Sequence, residues 1–249
     1  DLVRFDPAIA HVRVLERDAR RLEDLLSMGA ELEDADLIVD LHGNLRTRVL
    51  TFRQKAPVLR SPSYRLARSL QIRPSWVRGP VPPTALARHA MALAPLGIMP
   101  TDLPRVHAGD GAEAWAKDWL ALWDPAEAPV AMIPGAAHAT KRWPESHWLE
   151  LHERLRAAGH RLLYFGLEAD RERVRTLAAK VALDRDCRWC MERLPRVAAL
   201  LSRCSCAVAG DTGLMHLAVA RGVRVVAMFG STAPELGFAP VGEGHAVLC

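Results

Sequence analysis

Apolar and polar positions are spaced differently in the two halves of the 249-residue chain. In the first half, Leu37-Ile38-Val39 is a short apolar run ending at Asp40-Leu41-His42-Gly43-Asn44, which predicts a buried strand and its exit loop. Prolines then recur from Arg60 to Pro104, which predicts mostly loop with one helix at Thr84–Ala94. A Trp- and Ala-rich helix at about Ala112–Leu122 opens the second half. Strands are expected at Val130–Ile133, Leu162–Phe165, Arg188-Trp189, Cys206–Ala209 and Val223–Phe229. Between them the pattern predicts helices at Glu145–Ala158, Asp170–Lys180 and Leu194–Ser202, and one that follows the loop Gly210-Asp211-Thr212-Gly213 and runs to Arg221. Gly159 and Gly222 sit where helix C-caps belong. Short joins between alternating strands and helices imply an α/β fold with a parallel sheet covered on both faces. Ligands of such sheets bind at the carboxyl ends of the strands. The domains are placed at residues 1–110 and 111–249.

Composition narrows the class. Half the residues are hydrophobic, a quarter are charged and mean hydropathy is zero, which excludes a disordered, collagen-like or coiled-coil chain. No run of about 18 apolar residues is present to span a bilayer, and the opening Asp1-Leu2-Val3-Arg4-Phe5 has no signal-peptide pattern. The five cysteines are odd in number, unlike a secreted disulfide framework. Cys187-x-x-Cys190 with Cys204-x-Cys206 is read as buried thiols rather than a zinc site. A reduced, cytoplasmic protein is the expectation.

The net charge of +4 says less than its distribution. No acidic residue lies between Asp40 and Asp102, whereas ten basic ones do, from Arg46 to Arg88. Such a stretch attracts phosphates, anionic lipid or nucleic acid. No nucleic-acid recognition motif accompanies it.

The candidate chemistry lies in strand-exit loops. Gly210-Asp211-Thr212-Gly213-Leu214-Met215-His216 joins a strand to a helix start, with glycines for close backbone approach and N–H groups suited to phosphate. A lone cap would need only one polar residue there. Pro134-Gly135-Ala136-Ala137-His138-Ala139-Thr140-Lys141-Arg142-Trp143-Pro144 puts two adjacent cations on a second exit loop, placed to neutralise a leaving diphosphate. Asp170, behind Phe165-Gly166, is of the type that accepts ribose hydroxyls or caps a helix. Gly230-Ser231-Thr232-Ala233-Pro234 offers hydroxyls from a fourth loop. Walker A, Gly-x-Gly-x-x-Gly and Gly-x-Ser-x-Gly motifs are missing. Asp34-Ala35-Asp36 and Asp184-Arg185-Asp186 match the Asp-x-Asp of metal-dependent sugar transferases, but both precede strands, at the wrong end of a sheet.

These segments resemble glycosyltransferase family 9, the lipopolysaccharide heptosyltransferases. The likeness rests on 134–144, on Asp211–His216, on Phe229–Pro234 and on Asp40-Leu41-His42-Gly43-Asn44, with matching spacing from about residue 36 to 245. It implies a GT-B architecture of two Rossmann-like domains facing across a cleft, the first read as incomplete in this chain. It also implies inverting transfer of heptose from ADP-L-glycero-D-manno-heptose, with no cofactor or essential metal. The acceptor would be Kdo-lipid A or the inner-core lipopolysaccharide, met in peripheral contact with the cytoplasmic face of the inner membrane.

Carried over by position, Lys141 is the catalytic cation on the diphosphate and Asp170 meets the ribose. Asp211, Thr212, Gly213 and His216 serve phosphate and sugar, and Thr140, Arg142 and Met215 complete the donor set. Asn44, Arg46, Arg65 and Arg68 are the acceptor-side candidates. The family's general base sits on a Gly-Asp loop with no counterpart among these residues, which leaves Asp40 or His42 as substitutes. The alternatives are a non-catalytic nucleotide-sugar-binding protein of the same fold and a sugar-nucleotide epimerase, whose motifs fit poorly.

Overall fold

The computed structural model describes residues 2–15, 22–32, 34–71, 81, 83–100, 103–121, 123, 128–230 and 238–249, with backbone only for Arg68 and Gln71. The expected loop at Ser231-Thr232-Ala233-Pro234 and the basic residues Arg73 and Arg78 lie outside the described residues. Two units are present: Arg13–Asp102 with Glu235–Phe238, and Asp1–Val12 with Leu103–Pro234 and Ala239–Cys249.

The smaller unit runs α1 (Leu22–Ala30), β1 (Ile38–Asp40), α2 (Leu45–Leu50), β2 (Val58–Arg60), α3 (Arg65–Gln71) and α4 (Ala85–Ala90). β1 and β2 are parallel, with Asp40 opposite Arg60. Sequence pattern identified β1 but not β2, whose three residues are too short to show a period. Gly43 has φ +60, and a Cβ there would meet the Ser61 carbonyl oxygen at 3.2 Å. The exit loop of β1 therefore turns tightly only as glycine. Asn44 then caps α2, accepting from the Thr47 N–H at 3.0 Å while the Thr47 hydroxyl accepts from the Asn44 N–H. α4 ends four residues before the predicted Ala94. Pro95 lacks an N–H and its ring would clash with the Met91 carbonyl in a continued helix, so a 3-10 turn over Ala94–Leu96 follows.

The larger unit holds α5 (Asp110–Ala121), β3 (Val130–Ile133), α6 (Glu145–Ala157), β4 (Leu162–Phe165), α7 (Glu168–Arg173), α8 (Arg175–Leu183) and β5 (Cys187–Cys190). After these come α9 (Leu194–Leu201), β6 (Cys206–Gly210), α10 (Gly213–Ala220), β7 (Val225–Met228) and β8 (Ala246–Leu248). The six strands are all parallel, in the order β5-β4-β3-β6-β7-β8. Every residue of β3 and β4 is buried, as expected for strands covered on both faces. Trp148 of α6 packs into this core with Met132, Leu162, Tyr164 and Leu177. Cys187 and Cys190 are three apart on β5, so they point to opposite sheet faces and cannot share an ion.

The single helix expected at Asp170–Lys180 is two. Val174 leaves the helical region at φ −116, ψ 53 and buries its side chain. The new helix start is satisfied from a distance, because Glu145 Oε1 accepts the N–H groups of Thr176 (2.7 Å) and Leu177 (3.0 Å). β8 was also illegible in the sequence, being three exposed residues on the sheet edge.

Leu163 in β4 is 0% exposed, whereas Leu183 at the end of α8 is 87% exposed. Leu163→Ala is expected to cost about 2–5 kcal/mol in urea unfolding. Leu183→Ala should stay within about 0.5 kcal/mol.

Candidate active site

Strand order locates the site. From β3 the sheet proceeds through β4 to β5 in one direction, and from β6 through β7 to β8 in the other. The connections leaving β3 and β6 therefore diverge, and a crevice opens at their carboxyl ends, where open α/β sheets bind ligands. The β3 exit is the 134–144 loop and the β6 exit is Asp211-Thr212, so both principal sequence candidates meet at this switch point.

Across it, Lys141 Nζ lies 2.6 Å from Asp211 Oδ2. The Asp211 side chain is only 6% exposed and that of Lys141 is 23% exposed, so the carboxylate is the buried member. Lys141 ends a 3-10 turn over Ala139–Lys141, and that turn lies directly on the strand ends. A Cβ on Gly210 would stand 2.9 Å from the Lys141 carbonyl oxygen, and one on Gly230 would stand 3.2 Å from that of Thr140. The sequence reading assigned Gly210 to close approach of a ligand. Its closest approach is instead to the neighbouring loop, and it sets where Lys141 stands.

Thr212 caps α10 with extended backbone, its hydroxyl accepting the Met215 N–H at 3.3 Å. Gly213 is exposed, with open space where a side chain would project. Helix starts leave their first N–H groups without intrahelical partners, and the macrodipole makes that end attractive to anions. Met215, expected in the donor set, is fully buried. Its side chain seats the first turn of α10 in the core. His216 is exposed at its edge, yet desolvation by the surrounding protein lowers its pKa. Lys141 adds to that shift and Asp211 opposes it. The imidazole is thus neutral at pH 7, one turn into the helix.

Two further candidates are partly engaged by their own loops. Arg142 donates from Nε to the Ala136 carbonyl (2.8 Å) and from Nη2 to that of Ala137 (3.1 Å), bracing the β3 exit. Asp170 accepts the Leu167 N–H at 3.0 Å and pairs with Arg173 at 2.9 Å. It also presses on the β3 exit: a Cβ on Gly135 would be 2.5 Å from the Asp170 carboxyl carbon. Each carboxylate oxygen of Asp170 still has a lone pair for a further donor.

In the smaller unit, the ends of β1 and β2 border a cavity of about 340 Å³ lined by Leu41, His42, Ser61, Pro62, Ser63, Arg65, Arg88 and His89. Its lining holds two guanidinium groups and no carboxylate. Ser61 donates to the Arg88 carbonyl at 3.0 Å, and Tyr64, just before Arg65, adopts a left-handed φ of 44°. Arg88 and His89 were not singled out by sequence reasoning, although Arg88 belongs to the acid-free stretch. Burial lowers the His89 pKa, helped by Arg88 and His42. Of the sequence candidates, His42 and Arg65 line this cavity. Arg46 is exposed on α2, Asn44 is spent on its cap, and the Arg68 side chain lies outside the described residues.

Asp40 is buried behind the loop. Burial alone would raise its pKa. Hydrogen bonds from the N–H groups of Gly43 (2.8 Å) and His42 (3.1 Å), the Thr47 hydroxyl and the Arg60 charge outweigh this and lower it. A carboxylate stabilised in this way is a weak base. Its position shows a loop-closing acceptor.

Gly135→Ala is expected to displace the Asp170 carboxylate and destabilise the chain by about 1–3 kcal/mol. Gly213→Ala, which meets nothing, should leave stability equal or higher; chemical denaturation of both variants checks the contrast.

Similarity to known proteins bears on the fold and the family. Lipopolysaccharide heptosyltransferase 2 of Escherichia coli K12 is 28% identical over 139 residues, covering 53% of this chain and 39% of the relative. The chain thus aligns with well under two thirds of that protein's length. Among solved structures, the glycosyl transferase family 9 protein from Veillonella parvula superposes with a TM-score of 0.80 at 19% identity, over 99% of this chain and 74% of that one. The E. coli heptosyltransferase WaaC solved with ADP gives a TM-score of 0.62 at 22% identity, over 91% of this chain and 69% of that one. These likenesses place the fold in the α/β class of the GT-B heptosyltransferases. The profile of Glycosyltransferase family 9 (heptosyltransferase) matches residues 26–249. The chain belongs to that family.

Proposed function

We propose that the larger unit binds ADP-L-glycero-D-manno-heptose and that the whole protein transfers its heptose to the lipopolysaccharide inner core. The observation that carries this reading is the Lys141–Asp211 pair at the sheet's switch point, beside the start of α10. A diphosphate there meets the Lys141 ammonium, the Gly213 end of the helix and the Thr212 hydroxyl. Asp211 holds Lys141 in place, and Asp170 is left for the ribose. The ADP complex of the E. coli relative supports a donor of this kind.

In the reaction, the acceptor oxygen forms a bond to the anomeric carbon of heptose from the face opposite ADP. The bond from that carbon to the phosphate oxygen breaks, its electron pair leaves with ADP, and the configuration inverts. Negative charge grows on the leaving diphosphate, where Lys141 and the helix start stabilise it without a metal. The acceptor's hydroxyl proton passes to a base, a role for which the lowered pKa of Asp40 is unsuited.

Acceptor recognition belongs to the smaller unit. Its cavity, with Arg65, Arg88 and His42, fits the carboxylates and phosphates of an anionic glycolipid. The proposed contact with the cytoplasmic face of the inner membrane is a peripheral one, through the basic residues of this unit; no described helix is long and apolar enough to cross a membrane.

Thermal unfolding with ADP, UDP and GDP, each with and without EDTA, tests the donor assignment. ADP at about 100 times its dissociation constant should add roughly 2.7 kcal/mol, and EDTA should not change the increment. Lys141→Met should remove most of it. A UDP preference, or an increment that EDTA abolishes, would overturn the reading.

A further inference from the structure

Where β4 and β5 begin, at the end of the sheet opposite the donor loops, three side chains of metal-ligating type converge. His152 comes from α6, Asp184 follows α8 and Cys187 opens β5. One ligand atom from each lies within 4.8 Å of the others. His152 and Cys187 are buried, and Asp184 is partly exposed. These groups take no part in the donor site, and the Cys-pair zinc reading considered from the sequence did not include His152 or Asp184.

We propose that His152, Asp184 and Cys187 form a structural site for a divalent cation of the zinc type, with solvent as the fourth ligand. A nitrogen, oxygen and sulfur set is the one a borderline-soft cation selects over magnesium or calcium. Tetrahedral bonds of about 2.0–2.3 Å put ligand atoms about 3.4–3.7 Å apart.

Two of the three ligands, His152 and Asp184, also have an outer partner. His152 Nδ1 lies 2.9 Å from the Tyr164 hydroxyl, which leaves Nε2 to coordinate. Burial raises the Tyr164 pKa, so the phenol stays neutral and serves as the hydrogen-bond partner that ligating histidines usually have. Arg156 holds Asp184 from Nε at 2.6 Å, and its own charge is balanced by Asp186 at 2.8 Å.

Solvent reaches two of the three groups, His152 and Asp184. A surface cavity of about 560 Å³ is lined by His152, Asp184 and their neighbours, including Glu153 and Lys180. Without a cation, the Cys187 thiol is neutral, its pKa pushed up to about 12 by burial and by Asp184, to which it is hydrogen-bonded. On binding, the S–H bond breaks, the proton leaves to solvent and a metal–sulfur bond forms, with no change of oxidation state. Thiolate and carboxylate together then neutralise the two positive charges. The bound ion would tie α6 to the turn between α8 and β5. It would stabilise that side of the sheet and take no part in transfer.

Cobalt(II) provides the test. The reduced, EDTA-treated chain is titrated with cobalt(II) alone and followed by near-ultraviolet absorption. A thiolate-to-cobalt charge-transfer band should appear and saturate at one equivalent. Cys187→Ser should abolish it, whereas Cys190→Ser should keep it. Tyr164→Phe should retain the band with about 10–100-fold weaker binding, as loss of an outer partner does. Zinc should raise the Tm of the parent chain and leave that of Cys187→Ser unchanged. Should circular dichroism show Cys187→Ser unfolded, His152→Gln decides: weakened cobalt binding supports the site and unchanged binding overturns it. No band at one equivalent, or a band that survives Cys187→Ser, also overturns it. None of these readings depends on nucleotide binding.

Discussion

The larger unit is organised around one buried charge. Asp211 sits at the carboxyl end of a central strand with almost no exposed surface, and a carboxylate in that position is costly unless a cation compensates it. Lys141 is that cation. To reach Asp211 it must come from the exit loop of the adjacent strand, and the loop can lie low enough only because Gly210 and Gly230 carry no side chains. Strand order, the two glycines and the ion pair are thus one constraint. Removing one partner of such a pair costs about 3–5 kcal/mol in a dry interior. The part of Lys141 that solvent reaches lowers that figure, and it is the same part that is open to a ligand's phosphates.

In the proposed function the same few residues serve both fold and ligand binding. The start of α10 is fixed by the Thr212 cap and by Met215 in the core, so the exposed end at Gly213 is already ordered in the folded chain. On the β3 side, Arg142 braces its own loop, and Asp170 lies against Gly135 with Leu167 and Arg173 as partners. A site prepared in this way pays its ordering cost during folding. It then has little reorganisation left for the moment when charge develops on a leaving diphosphate.

Much of the larger unit was legible in the sequence because its signals are local. Val130-Ala131-Met132-Ile133 and Leu162-Leu163-Tyr164-Phe165 are apolar runs bounded by loop residues, and their strands match residue for residue. The Asp211–His216 and Lys141 loops could be recognised as strand exits for the same reason. What stayed hidden depends on partners distant in sequence. The break at Val174 follows from capping of α8 by Glu145, thirty-one residues from Thr176. β8 exists only as an edge pairing with β7, and Arg88 joins Arg65 only through the packing of α4 beside β2. A motif position carries no direction, so the burial of the Met215 side chain, which the helix turns into the core, was not legible either. Asp40 showed the right chemical type and the right strand end, but hydrogen bonds within its own loop set its pKa.

Hydrogen exchange of the backbone amides, with and without ADP, tests most directly whether the Lys141–Asp211 pair marks the donor site. The account predicts that added protection concentrates at 139–142 and 211–216, where the two exit loops meet at the switch point. Protection spread evenly over the sheet, or confined to the smaller unit, would contradict it.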